Sequence, residues 1–67
     1  MWQYKICFHY FLNGSRIDEA DTAFAINPKK AINEIEKRYF FHNIEVDSVH
    51  EANGFCWGYV DPIWWKE

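Results

Sequence analysis

The chain has 67 residues, a formal net charge of −3, and is 49% hydrophobic and 21% aromatic. That length makes a single domain, residues 1–67, and the composition excludes a disordered chain. The acidic balance argues against non-specific nucleic-acid binding, which needs a basic stripe to displace counterions. No apolar run approaches the ~18 residues of a membrane helix. No small-residue cleavage site follows the amino terminus, so a cytoplasmic protein with reduced thiols is expected. Cys7 and Cys56 then read as small buried hydrophobes.

Residues 2–12 alternate, with Trp2, Tyr4, Ile6, Phe8, Tyr10 and Leu12 on one face and Gln3, Lys5, Cys7, His9 and Phe11 on the other. Period 2 over this length predicts a half-buried strand. Asn13-Gly14-Ser15 is a turn signal. A second strand is expected within residues 17–26, where Thr22, Phe24 and Ile26 share one face and Ala23 and Ala25 the other. Phe24 and Ile26, as the larger apolar pair, are assigned to the core.

The period then changes. Asn27 suits an N-cap and Pro28 the first helical position. Ala31, Ile32, Ile35 and Tyr39 form one apolar stripe. The helix is placed at about 28–41, with a Glu34–Arg38 pair along it and Asn43 in a left-handed position at its end. "IEVDSVHE" reads as a third strand. Ile44 and Val46 differ in parity from Val49, which a bulge near Asp47-Ser48 reconciles. Asn53-Gly54 is assigned to the centre of a type I′ turn, so that Ala52 faces Phe55 and His50 faces Trp57. A fourth strand runs to about Val60 and stops at Asp61-Pro62. The predicted fold is α+β in β-β-α-β-β order: a single helix on one face of a four- or five-stranded antiparallel sheet, strand order 2-1-3-4.

That architecture leaves one sheet face open and a surplus of rings. Phe55, Trp57 and Tyr59 are assigned to the helix-facing core. Phe11, Phe41, Trp64 and Trp65 remain over. "IWWKE" either folds back as a fifth strand or lid over the open face, or exposes at least one Trp in an interaction patch. Glu45, Asp47 and Glu51 line the third strand and are placed on the side without the helix, where acidic groups steer a basic partner.

Catalytic chemistry finds little support. Cys7 and His9 share a strand face, but no third orienting group or phosphate loop accompanies them. Cys7, His9, His50 and Cys56 lack the CxxC or HxxxH spacing of a zinc site, so no metal or cofactor is expected. A Cys7–Cys56 disulfide is disfavoured because strands 1 and 4 are not neighbours.

"AFAINPKKAINEIEKRY" followed by "IEVDSVHEANGFCWGY" resembles a class of small proteins from phages and mobile elements. The shared positions are Ala25, Asn27, Pro28, Ala31, Ile32, Asn53 and Gly54. The DpnD/PcfM-like family shares the front half of this pattern, and some small type I anti-CRISPR proteins share the whole β-β-α-β-β plan. The resemblance implies a non-enzymatic protein that binds a host protein or defence complex, and it assigns no site residue. The combined expectation is a protein-binding module, with Trp64, Trp65, Phe11 and Trp57 as aromatic anchors and Asp47 and Glu45 as steering charges. The alternatives are a homodimer that pairs its open faces, and a single-strand nucleic-acid binder that stacks bases on its rings.

Overall fold

The computed structural model describes residues 1–66. Two long strands, β1 (Trp2–Leu12) and β2 (Ser15–Ala25), form a hairpin. A helix, α1 (Pro28–Arg38), crosses to β3 (Glu45–Asn53), and a short β4 (Cys56–Tyr59) completes the sheet. The sheet has four strands in the order β2-β1-β3-β4, all antiparallel. Residues Pro62–Trp64 form a 3-10 turn and add no fifth strand. No helix among the described residues is long and apolar enough to cross a membrane.

The first turn fixes which faces meet. Asn13 and Gly14 take φ of 54° and 81°, the left-handed pair that a two-residue type I′ hairpin requires. Leu12 therefore pairs with Ser15, and Tyr4 with Ala23. Even positions of β1 share a face with odd positions of β2. This reverses the expected assignment of β2: Ala23 and Ala25 are buried against the helix, whereas Phe24 and Ile26 are each 64% exposed. Size misleads here, because a closely packed helix needs small side chains beneath it.

The core lies between α1 and the sheet. It comprises Tyr4, Ile6 and Phe8 from β1, Ala23 and Ala25 from β2, Ala31, Ile32 and Ile35 from α1, and Val49 from β3. Asn27 caps α1 by accepting a 2.9 Å hydrogen bond from the Lys30 amide. The helix ends at Arg38, three residues before the sequence suggests. Tyr39 leaves the helical region at φ −114°, ψ 33°, and its amide still donates to the Ile35 carbonyl. Asn43 does not adopt a left-handed conformation; Asn13 is the one non-glycine residue with positive φ among those described. Arg38 also departs from expectation. Its guanidinium turns to β2, bonding the Thr22 carbonyl and pairing with Asp21 at 3.4 Å, while Glu34 pairs with Lys37 at 3.5 Å. The helix end is thereby tied to the sheet, with Tyr39 edge-on to Phe8 at 4.8 Å and its hydroxyl donating to Asp21.

The bulge in β3 is present. Cys7 pairs with Ser48 but Phe8 pairs with Val46, which leaves Asp47 as the extra residue. Val46 and Val49 can then both face the helix despite opposite parity. Glu51, beyond the bulge, pairs with Tyr4 and so lies on the helix side, not on the open side where the unbroken alternation placed it. In the last hairpin Asn53 pairs with Cys56, so Gly54 and Phe55 are the central residues. Gly54 alone of the two has positive φ, 65°, the pattern of a type II′ turn rather than type I′. The register is shifted by two residues from expectation. A two-residue shift preserves which β3 and β4 residues share a face. With Val49 and Glu51 on the helix side beyond the bulge, however, Trp57 and Tyr59 lie on the open face and not in the helix-facing core expected for them, and Phe55 moves to the exposed tip.

The register of β2 is testable by substitution. Ala23→Leu should overpack the helix–sheet contact and cost about 1–3 kcal/mol. Phe24→Ser should change stability by less than about 0.5 kcal/mol, both read from urea unfolding. The opposite ranking would place β2 in the other register. Burial and the charge of Glu51 push the Tyr4 phenol up from its ordinary 10.0, and burial together with Asp21 and Glu19 does the same to Tyr39. Each phenol therefore stays neutral in the fold where the unfolded chain would ionise. Stability should be complete below the ordinary value of 10.0 and should fall as pH rises through it. Alkaline unfolding followed by circular dichroism checks this, and Tyr4→Phe should flatten the fall.

Candidate functional site

Among the described residues, the face of the sheet opposite α1 carries no second layer. Its residues come from odd positions of β1, even positions of β2, and His50, Ala52, Trp57 and Tyr59 on β3 and β4, as the pairings dictate. Three zones run along it. At one end stand Phe24 (64% exposed), Tyr59 (64%) and Trp57 (37%). The Lys5 ammonium lies 5.5 Å from the Trp57 ring centre, a cation–π distance. His50 meets Tyr59 edge-on at 5.7 Å, and its Nδ1 is buried without a hydrogen-bond partner among the described residues. The middle zone carries short side chains, Cys7 with its neighbours Ala20 and Ser48.

The far end is charged and centres on His9, which is 8% exposed. A buried polar ring must be paired. His9 Nδ1 lies 2.9 Å from each oxygen of Asp47, and Nε2 lies 3.2 Å from Glu45. The bulge produces this arrangement by turning Asp47 towards β1 instead of leaving it in alternation. Arg16 spans the neighbouring carboxylates, with Nε 3.0 Å from Asp18 and Nη2 3.6 Å from Asp47. Phe11, 64% exposed, stands edge-on to His9 at 5.9 Å.

Of the residues singled out in the sequence, Phe11, Trp57, Asp47 and Glu45 thus share the uncovered face. Asp47 and Glu45 are not isolated surface charges but hold His9 in place. Trp64 and Trp65 lie elsewhere. Asp61 caps the 3-10 turn by accepting from the Ile63 amide at 3.1 Å, and this turn carries the tail to the helix side of the sheet. Trp65 packs against the core there, near Ile32, and its indole N–H donates to the Val60 carbonyl at 3.4 Å. Trp64 is exposed beside Tyr4, Pro28 and Glu51. The tail is therefore a lid, as one reading expects, but over the helix-side core and not over the open face.

Sequence reasoning placed Phe24, Trp57 and Tyr59 in the helix-facing core, and the structure puts all three on the open face. The signal that would have found Phe24 is the two-residue Asn13-Gly14 turn, which fixes facing in β2. The thiols differ from expectation in their burial: Cys7 is only half-buried and Cys56 is exposed.

The two tail tryptophans should separate in their effects. Trp65→Ala should lower stability by about 2–3 kcal/mol, below the range for a fully buried Trp because the ring is half-buried. Trp64→Ala should change it by less than about 0.5 kcal/mol. Chemical denaturation of both variants measures the difference. No protein-family model, curated protein or solved structure matches the chain, so the functional reading rests on the geometry of this face.

Proposed function

We propose that the protein is a non-enzymatic binding module that docks a protein partner on its uncovered sheet face. The observation that carries this reading is a set of exposed rings, Phe24 on the β2 edge and Trp57 and Tyr59 on the β4 edge, on a sheet whose other face is already covered. Exposed apolar patches of this kind mark interaction sites, and Trp and Tyr dominate binding hot spots. The partner surface that fits is apolar and basic. Its apolar side chains cover the rings, and its Lys or Arg residues approach Glu45 and Asp18, exposed carboxylates on a chain of net charge −3. In the form that the sequence resemblance implies, the partner is a host complex and the outcome of binding is its inhibition. A second copy of the chain is the competing occupant, favoured by the small core of a 67-residue domain, for which oligomerisation is a common staple.

Tagged wild-type protein, Phe24→Ser/Trp57→Ser and the control Ile63→Ser test this in host lysate with nuclease treatment. A single protein captured by the wild type and the control, and lost at least about tenfold by the double variant at unchanged melting temperature, supports the module. Retention by the double variant overturns it. A light-scattering mass of twice the chain that falls to one chain in the double variant assigns the face to a homodimer.

A further inference from the structure

The charged end of the open face gathers three side chains of metal-ligating type, which pair among themselves and with Arg16. His9 on β1 and Asp18 on β2 are direct cross-strand partners, and the β3 bulge delivers Asp47 beside them. One ligand atom from each of the three lies within 4.8 Å of the others. We propose that His9, Asp18 and Asp47 form a binding site for a divalent transition metal such as Zn²⁺, with Glu45 as the positioning residue for the imidazole.

Three features support the assignment. First, the set mixes one imidazole nitrogen with carboxylate oxygens, the donors that suit Zn²⁺ and its first-row neighbours rather than the all-oxygen shells of Ca²⁺ and Mg²⁺. Bonds of about 2.1 Å need ligand atoms about 3–3.5 Å apart. His9 Nδ1 and the Asp47 oxygens are now hydrogen-bonded at 2.9 Å, so an ion that takes the Nδ1 lone pair requires Asp47 to turn aside by a small rotation and exposed Asp18 to rotate in.

Second, the two ring nitrogens of His9 have different surroundings. Nδ1 faces the candidate ligand Asp47, whereas Nε2 is 3.2 Å from Glu45. A metal-ligating histidine almost always donates its other N–H to a carboxylate or carbonyl, which fixes tautomer and ring orientation. Glu45 supplies that partner, and the 8% exposure of His9 holds the ring in place.

Third, the charges leave room for a dication. Asp18, Asp47 and Glu45 bring three negative charges, and Arg16 brings one positive charge across the Asp18–Asp47 gap. The chain thus places its own cation where a metal would sit. The Arg16 side chain is 51% exposed and free to swing into water, so the metal competes with a guanidinium, not with a packed core. Three protein ligands leave further coordination positions for water or for a group on a partner.

Zinc titration of metal-free protein by calorimetry tests the site. The background is Cys7→Ser/Cys56→Ser, which removes the thiols as competing ligands. One Zn²⁺ per chain is expected, with a raised melting temperature that a chelator reverses. Asp18→Asn and Asp47→Asn should each weaken binding at least tenfold. Glu45→Gln should weaken it about 10- to 100-fold, the usual effect of losing such a partner. Arg16→Gln should tighten binding several-fold, because it removes the competing cation. Circular dichroism confirms that each variant is folded, and Asp18→Asn and Arg16→Gln alter exposed side chains and suffice if the others do not fold. Absence of saturable binding, or binding that Asp18→Asn and Arg16→Gln leave unchanged, overturns the proposal and leaves His9 as a carboxylate-paired buried histidine.

Discussion

Alanine sets how closely the helix can lie on the sheet. Ala23 and Ala25 on β2 and Ala31 on α1 are all buried, and their small volumes let Ile32 and Ile35 reach down beside Ile6. The helix packs chiefly on β2 and β1, the strands whose inward residues flank this contact. With α1 drawn to that side, the β3–β4 side of the core needs another cover. Trp65 and Val60 serve there, packed against the buried cluster. The Val60 amide also donates to the Val49 carbonyl at 2.9 Å, which prolongs the β3–β4 ladder. The apolar residues near the C-terminus are thus partly core material. A helix of eleven residues spans only about 16 Å and cannot shield the whole sheet.

The β3 bulge has two consequences with one cause. One extra residue at Asp47 reverses the alternation between Val46 and Val49. On the covered side this lets both valines face the helix. On the uncovered side it brings a carboxylate to within 2.9 Å of His9. Burying His9 without that carboxylate would leave a polar ring unpaired, at a cost of about 1–3 kcal/mol. The same local irregularity therefore completes the core and makes the charged site possible.

Much of this was legible in local sequence. The alternation of β1, the Asn27-Pro28 helix start and the parity conflict that demanded a bulge all have short-range causes, and all are present in the fold. The strand order 2-1-3-4 follows from them. The facing of β2 was harder to read, because both of its faces are apolar near the helix and the larger residues, Phe24 and Ile26, are the ones turned to solvent. A pattern based on hydrophobicity alone ranks Phe above Ala for the core; only the turn register decides otherwise. The His9 cluster was less legible still. Its members, His9 included, lie on three strands, with Asp47 thirty-eight residues away from His9, and no sequence spacing encodes a contact that depends on sheet order and a bulge together. The destination of the Trp64-Trp65 tail turned on a capped 3-10 turn at Asp61-Pro62, where the sequence announced a stop but not a direction.

The sheet has two ways to associate, by an edge or by a face, and its charges favour the face. β2 is an eleven-residue edge strand, long enough to accept another strand. Asp18, Glu19 and Asp21 lie along it, and charged edges resist strand addition. An antiparallel self-pairing centred on Ala20 would oppose Glu19 to Asp21 of the other copy, placing like charges directly across the ladder, which is destabilising. The other edge, β4, has four residues and offers little ladder. What remains accessible is the uncovered face, where rings at one end and a paired imidazole at the other flank a zone of small side chains. A partner that lays apolar groups on the rings while presenting a positive group to the carboxylates would use both ends at once. The rings would supply most of the affinity and the charged end the orientation, because buried aromatic area dominates hot spots whereas charges chiefly govern approach and register.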